Sequence, residues 1–419
     1  MFLILSTFAN AMELQVEELP SGDSIVLVQD ARSDVVTMEV RFPVGDFSPA
    51  WQATHLDEIW SFQAYDPDGA LRLRAEALAA EVGSVVSNRS ATLGAICLRE
   101  DMLACATLLG DILHSDALER DELKRHRRTQ WGDWEGLLSD PEFVLRQAAE
   151  QALFVKGDPR RMDVEKPRRL DLRVARDPSA KEAVLALPNR LMGFSGNLSL
   201  DDAVALTALF RLPEPSERGP EWTVELPALS DDVPATVEAE LPELTQVHFT
   251  MFRAGLVYED EHVPHQHVAH HVLVGHFYSR MYRALRHDSG LSYGVSGSNF
   301  FGLSEPCYRI SSSSKVETGD QAIAVMRETM STYASEGITV EEHEQAVSHL
   351  LGLHAIRSST PWSLTSTALH EVQFGLERDH LGALKRAAAE LSVEEINAWI
   401  ASFYDPEAWS LVVVRPETD

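Results

Sequence analysis

Two stretches of this chain carry the same local signal 220 residues apart, and that repeat limits the folds the chain can adopt. Ser-Asp-Pro at 139–141 precedes a helical pattern that reaches Phe154, and Ser-Thr-Pro at 359–361 precedes one that reaches Phe374. A polar cap followed by Pro at the first position is a common start of a helix. Matched spacing over a whole module indicates an internal duplication.

Each copy combines short β-branched runs with longer helical patterns. In the first copy, Ser24–Gln29 and Val35–Phe42 predict strands, and a series of helices follows them. We therefore predict an α+β fold with two homologous modules, 12–212 and 244–419, each a mostly antiparallel sheet covered by helices. The acidic segment 213–243 is rich in Pro and predicts a linker.

Two of the predicted helices lie in different halves of the chain. The pattern of apolar residues predicts one helix over 70–83 and a single long helix over 263–287. Six histidines crowd the second of these regions, at positions 262, 265, 267, 270, 271 and 276. His267 and His271 share one helix face and could bind a metal. Because no Asp, Glu or Cys lies within 267–280, we favour histidines on a solvated or interface surface instead.

Composition and charge exclude several classes of protein. The formal net charge of −29 and the absence of a basic stripe argue against nucleic-acid binding. No segment approaches the ~20 apolar residues that a membrane-spanning helix needs. Cys97, Cys105 and Cys307 form no CxxC motif, so we expect small buried thiols rather than disulfide or metal chemistry.

The apolar N-terminal segment leaves the compartment open. Residues 1–11 end in an A-x-A-like site but lack a basic region, so they are either the remnant of an export signal or a first strand. The corresponding locations are the periplasm, if the segment is a truncated signal peptide, or otherwise the cytoplasm.

One predicted helix carries most of a metal-binding motif. An H-x-x-E-H pattern puts two zinc-binding imidazoles and a catalytic carboxylate on one helix face. Here His55 and Glu58 are present, but the second histidine position is Ile59, which has no donor atom. Taken alone, this pattern is typical of an ordinary amphipathic helix.

Over nearly its whole length, however, the sequence resembles the pitrilysin/insulinase family of zinc metallopeptidases, in the short two-domain form related to mitochondrial processing peptidase. The most specific match is Leu285–Tyr293, LRHDSGLSY. In the family, an Arg and a Tyr seven residues apart contact the bound peptide, and Arg286 and Tyr293 have this spacing. The alternative is an ordinary helix-to-strand turn in which the Arg caps the helix.

The resemblance also implies a zinc site, which this chain carries in degenerate form. In active members a third ligand, a Glu, lies eight residues before the Asp-Pro break, and that position is Asp133 here. His55 is thus retained, Asp133 is shortened and Ile59 is lost, which leaves Glu58 without a metal-bound water to activate. Catalytic zinc sites usually have three protein ligands, so we expect zinc to bind weakly or not at all.

An intact Arg/Tyr pair beside a broken zinc motif implies a non-catalytic, substrate-binding subunit. By the resemblance, it would form a heterodimer with a zinc-carrying paralogue and bind short unfolded peptides. One alternative is a self-sufficient zinc endopeptidase in which another residue replaces the lost ligand. A second is a structural or assembly protein, like the core proteins of respiratory complexes in the same superfamily.

Overall fold

The computed structural model describes residues 12–45, 66, 69–115, 120–161, 178–216, 226–298, 301–302 and 306–417. The chain forms two compact units, each assembled from separate stretches of sequence. Unit 1 takes in Met1–Trp131, Pro167–Val224 and Ile356–Asp379. Unit 2 takes in Gly132–Lys166, Glu225–Ala355 and His380–Asp419.

Within the described residues, unit 1 contains a six-stranded sheet. Its strands are β1 (Met12–Glu18), β2 (Ser24–Asp30), β3 (Val35–Phe42), β4 (Glu81–Val86), β5 (Ala91–Leu98) and β6 (Leu191–Gly196). They lie in the order β1-β2-β6-β3-β5-β4, and only β2 and β6 are parallel neighbours. β2 and β6 are almost entirely buried, as expected of strands covered on both faces.

The helices of unit 1 cover this sheet. From the first half of the sequence, the described residues contribute α1 (Ala70–Ala77), α2 (Met102–Leu113), α5 (Pro178–Leu185) and α6 (Leu200–Leu209). The helix α3 (Arg120–Leu138) runs from unit 1 into unit 2. Ser199 and Asp202 form a capping box that starts α6. Gly110 is required in α2 because a Cβ there would lie 2.1 Å from the backbone oxygen of Leu209.

Unit 2 has a five-stranded sheet in its described residues. Its strands are β7 (Thr236–Leu241), β8 (Gln246–Ala254), β9 (Val295–Gly297), β10 (Cys307–Lys315) and β11 (Ser410–Pro416), in the order β7-β11-β8-β10-β9. Its helices are α7 (Val263–Leu273), α8 (Arg280–Tyr282), α9 (Gly319–Glu336), α10 (Val340–Arg357), α12 (His380–Glu390) and α13 (Val393–Phe403). α8 continues directly into a π-helical segment, Arg283–Asp288.

The two sheets share one connectivity. In unit 1 the parallel pair β2/β6 is followed by the antiparallel neighbours β3, β5 and β4. In unit 2 the parallel pair β7/β11 is followed in the same way by β8, β10 and β9. The predicted α+β fold with two similar modules is therefore confirmed, and β1 is an additional edge strand of unit 1.

A helix from each half of the sequence packs on the sheet formed mainly by the other half. The helix α4 (Pro141–Leu153) buries Leu145 and Ala149 against β8 and β11 of unit 2. The helix α11 (Pro361–Gln373) buries Ala368 and Leu369 against β2 and β6 of unit 1. These are the two helices that begin at the repeated Pro motifs, and Asp140 and Thr360 cap them as the sequence indicates.

This exchange, and three local features, differ from the sequence expectation. The units are not the continuous ranges 12–212 and 244–419, because α4 and α11 each pack in the other unit. The expected linker contains β7, which pairs with β11. The predicted helix 70–83 ends at Ala77, and β4 follows. The predicted helix 263–287 is interrupted after Leu273, where Gly275 donates its N–H back to the carbonyl of His270.

No helix in the described part of the chain is long and apolar enough to cross a membrane.

Candidate functional site

The sequence motif Leu285–Tyr293 forms a turn with a fixed conformation. Leu285 is buried, and its carbonyl accepts hydrogen bonds from the backbone N–H groups of Leu291 and Ser292. Between them, Gly290 has a φ of +66°, a conformation that favours glycine. The Ser292 hydroxyl lies 2.8 Å from the hydroxyl of Ser312 in β10. The turn is thereby tied to the sheet of unit 2.

This turn brings Arg286 and Tyr293 together. The guanidinium carbon of Arg286 lies 4.7 Å from the centroid of the Tyr293 ring, within the range of a cation–π contact. Nη1 of Arg286 also donates a hydrogen bond to the hydroxyl of Tyr282. The Tyr293 side chain is 85% exposed. A positioned cation and an exposed phenol thus share one surface of unit 2.

Four further residues extend this pair into an aromatic cluster: Phe277, Tyr278, Tyr282 and His287. The Arg286 guanidinium also lies over the rings of Phe277 and Tyr282, at 4.9 and 5.3 Å. The ring of Tyr278 stacks on that of His287 with centroids 6.2 Å apart. Tyr278 is 69% exposed and Phe277 is 48% exposed. Large aromatic side chains exposed side by side are typical of binding surfaces.

The sequence analysis missed these four residues. The sequence did contain a hint, because the pair Phe277-Tyr278 ends eight residues before Arg286. The prediction of one continuous helix over 263–287 gave no reason to place this pair beside Arg286. The break after Leu273 turns Phe277 and Tyr278 toward the signature turn, and the short helix α8 then carries the chain back to Arg286.

An ion pair fixes the base of the cluster. Arg280 in α8 makes two hydrogen bonds to the carboxylate of Glu342 in α10, at 2.7 and 2.8 Å. The hydrogen bonds to Glu342 raise the pKa of Arg280. Burial alone would raise the pKa of Glu342, but the hydrogen bonds and charge of Arg280, together with hydrogen bonds from Thr339, lower it. Fork-shaped pairs of this kind restrict both partners. The segment that presents Arg286 is thus held before Arg286 by this ion pair and after Arg286 by the turn described above.

An edge strand begins two residues after Tyr293. β9 pairs with β10 on one side and is the last strand in the order of the unit 2 sheet. A groove with a volume of about 370 Å³ lies beside it, lined in part by Ser296, Ser298 and Arg309 and by the first turns of α4. Among the described residues β9 is thus an edge strand beside a groove, and an edge strand can accept an extended peptide by strand addition.

The histidines of α7 pack against other side chains of unit 2 rather than forming the expected solvated face: His271 is buried, and His265, His267 and His270 are half-buried. Nδ1 of His270 lies 2.9 Å from the hydroxyl of buried Tyr308. The ring of His267 lies 4.9 Å from that of Phe301. Burial lowers the pKa of His267 to about 4 and that of His270 to about 3. The side of α7 that carries these histidines is polar in composition, but it packs against other side chains of unit 2.

His271 lies at the centre of a histidine stack. Its ring centroid is 4.5 Å from that of His276 and 4.4 Å from that of His349 in α10. Burial, and then the neighbouring imidazoles, lower the pKa of His271 to about 4. Parallel rings at this spacing present faces rather than nitrogen lone pairs to one another, so the stack is a packing arrangement.

Of the proposed zinc positions, only Asp133 lies in the part of the chain that the structure describes. His55, Glu58 and Ile59 lie outside the described residues. Asp133 lies on α3 with an exposed side chain. Among the described residues, no group of three or more His, Cys, Asp or Glu side chains is arranged to hold a metal ion. Because Ile59 has no donor atom, the residues at the expected zinc positions do not supply the three ligands usual for catalytic zinc.

Comparison with known proteins agrees with this architecture. Residues 188–350 match the family model described as the Peptidase M16 inactive domain, and this segment includes both Arg286 and Tyr293. No curated protein matches the sequence at a significant level.

Several solved structures have the same fold. A peptidase M16 inactive domain from Pseudomonas fluorescens has 17% identity and a TM-score of 0.84, covering 97% of this chain and 98% of its own. A protease from Helicobacter pylori has 11% identity and a TM-score of 0.81, with coverage of 97% and 100%. The periplasmic protease PqqL from Escherichia coli has 15% identity and a TM-score of 0.77, and covers 99% of this chain and 47% of its own. The fold is that of M16-like peptidases.

Proposed function

We propose that the chain is the non-catalytic, peptide-binding subunit of a heterodimeric zinc metallopeptidase of the M16 family. The observation that carries this proposal is the exposed cluster around Arg286 and Tyr293, held in place by the signature turn. The zinc-carrying partner would be a paralogue with a complete H-x-x-E-H motif. The substrates would be short unfolded peptides, because an extended backbone is what an edge strand can pair with.

The chemistry of the cluster suits peptide binding. An Arg side chain has five N–H donors, and the hydroxyl of Tyr282 accepts from one of them. Within the described residues, donors therefore remain to bind a carbonyl oxygen of the peptide. The Tyr293 hydroxyl can donate to a second carbonyl, and β9 begins close enough to continue the contact along the peptide backbone. Binding of backbone atoms explains how one surface could accept many sequences.

The degenerate zinc motif argues against catalysis by this chain alone. Ile59 removes one imidazole, and Asp133 is shorter than Glu by one methylene. Glu58 then has no metal-bound water to deprotonate. The contribution of this chain would be to hold the peptide while the partner cleaves it.

Peptide affinity tests the binding role. A fluorescent unfolded peptide is titrated with the full chain, and anisotropy gives the dissociation constant. Arg286→Ala and Tyr293→Ala should each weaken binding about 10-fold, which corresponds to about 1.4 kcal/mol. Arg283→Ala is the matched control, since Arg283 is an exposed residue of the same π-helical segment. Equal affinity in all four proteins would contradict the proposal and favour a structural or assembly role.

Zinc content and peptidase activity test the absence of catalysis. The purified chain, dialysed against a weak chelator, should retain no zinc and should cleave no peptide. Retention of about one zinc per chain, with chelator-sensitive cleavage that Glu58→Gln abolishes, would instead establish a self-sufficient endopeptidase. In that case Ile59→His should change activity little, because the ligand set would already be complete.

Reconstitution tests the partnership. If a paralogue with an intact motif co-purifies with this chain, its peptidase activity should rise when this chain is added. The Arg286→Ala variant should assemble normally but stimulate cleavage less. Assembly without any effect on cleavage would contradict the proposed role.

A further inference from the structure

The groove beside β9 has a polar floor on one face of the unit 2 sheet. Side chains alternate between the two faces of a strand. In β10, Tyr308 and Ile310 belong to the apolar core on one face, and Cys307 packs with α4 on the other. Arg309 and Ser311 therefore lie on the α4 side of the sheet, and both line the groove.

Strand pairing extends this floor to the edge of the sheet. Ser311 pairs with Ser296 of β9, and the Ser311 hydroxyl lies 2.8 Å from that of Thr250 in β8. Arg309 donates its backbone N–H to the hydroxyl of Ser298, 2.8 Å away. A row of hydroxyl groups thus runs from the interior of the sheet to β9, and the Arg309 side chain lies beside it.

The positive charges of the groove lie deeper than the negative ones. Arg146 and Arg309 are half-buried, whereas Asp140 and Glu142 are exposed. The Asp140 carboxylate already accepts the backbone N–H of Glu142, and the Glu142 carboxylate lies 3.6 Å from Nδ1 of His248. Within the described residues, no carboxylate pairs with the guanidinium of Arg309. A half-buried cation of this kind favours the entry of an anion.

We propose that this groove binds a carboxylate of the bound peptide, either an acidic side chain or the C-terminal carboxylate. The inference rests on the proposed peptide binding and narrows its substrate class. A peptide added to β9 would place alternate side chains on the α4 side of the sheet. There the Arg309 guanidinium can donate two charge-assisted hydrogen bonds to a carboxylate, and the hydroxyl of Ser296 can donate a third.

The charge of the whole chain acts in the opposite direction. A formal net charge of −29 disfavours acidic ligands at long range. Long-range charge alone therefore predicts that a basic peptide binds best. A preference for carboxylates has to come from groups inside the groove, and it has to depend on Arg309.

A set of four fluorescent peptides tests the groove on the full chain. All share one short neutral sequence: one has an internal Gln and both ends blocked, two carry Glu or Lys in place of that Gln, and one keeps the Gln but has a free C-terminal carboxylate. Titration followed by anisotropy gives each dissociation constant. We expect the Glu peptide, the free-carboxylate peptide or both to bind about 10-fold tighter than the blocked Gln peptide. Which of them does so identifies the source of the carboxylate.

Matched variants assign the preference to the groove. Arg309→Gln should abolish the preference without changing the affinity for the blocked Gln peptide, and Arg309→Lys should keep part of it. Lys315→Gln is the control, because it removes the same charge from the exposed end of β10. If Arg309→Gln fails to fold, Arg309→Lys and the four peptides on the wild type decide the matter.

The outcomes separate this inference from the proposed function. Equal affinity for the Gln, Glu and free-carboxylate peptides would overturn the carboxylate site while peptide binding stands. Tightest binding of the Lys peptide, or a carboxylate preference that survives Arg309→Gln, would overturn it in the same way. Failure of all four peptides to bind would overturn peptide binding itself, and the carboxylate site with it.

Discussion

Acid should destabilise unit 2 through the histidines of α7. His267, His270 and His271 are held neutral by burial, with pKa values lowered to about 4, about 3 and about 4. In the unfolded chain each titrates near 6.5. Between these values the unfolded chain binds protons that the folded chain does not, so stability falls as the pH drops below 6.5. Above 6.5 the effect vanishes.

The size of the effect follows from the proton balance. At pH 5.5 each of these histidines is mostly protonated when unfolded and mostly neutral when folded, which costs about 1.4 kcal/mol relative to pH 8. The three together lower the free energy of unfolding by about 4 kcal/mol. His271→Gln removes one titrating group and should reduce this loss to about 2.8 kcal/mol.

Urea unfolding at pH 8.0 and pH 5.5 measures these differences. The quantity compared is the decrease in the free energy of unfolding from pH 8.0 to pH 5.5 within each protein. A lower stability of His271→Gln at both pH values therefore does not affect the comparison. His287→Gln is the control, because His287 is exposed. The reasoning is refuted if the free energy of unfolding of the wild type is the same at both pH values. It is also refuted if His271→Gln loses as much free energy of unfolding between them as the wild type does.

Three further substitutions probe the site and the core. Gly297→Ala puts a Cβ 2.4 Å from Val274, so calorimetry should show a loss of about 1–3 kcal/mol. Gly290→Ala disfavours the φ of +66° and should lower the free energy of unfolding by about 1 kcal/mol. It should weaken peptide binding by more than this amount. Unchanged affinity would mean that the turn does not position the cluster. Arg190→Leu leaves the buried Asp23 without its partner, 2.6 Å away, and should cost about 3–5 kcal/mol in urea unfolding, with Arg32→Leu as an exposed control.

The parts of the site that sequence could predict are local. Arg286, Gly290 and Tyr293 lie within one turn, so their spacing carries the geometry. Phe277 and Tyr278 join the site through a helix break after Leu273, and periodicity does not reveal a break between two helical stretches. Their place in the cluster depends on contacts with a neighbouring segment.

The exchanged helices and the buried histidines could not be predicted for a related reason. The caps of α4 and α11 were readable, because capping is local chemistry. The sheet on which each helix packs is chosen by contacts far away in sequence, and no local pattern encodes that choice. For α7, the histidine content indicates a polar face, but α10 and β10 decide that this face is buried.

The exchanged helices also set when each unit can be completed on the ribosome. Unit 1 draws its first stretches from before residue 224, yet α11 covers β2 and β6 and belongs to Ile356–Asp379. That helix is made about 155 residues later, roughly 8–30 s at ribosomal rates. During this interval the apolar surface around Val26 and Leu191 has no helix to cover it. We therefore expect the nascent first half to expose this apolar surface until α11 emerges.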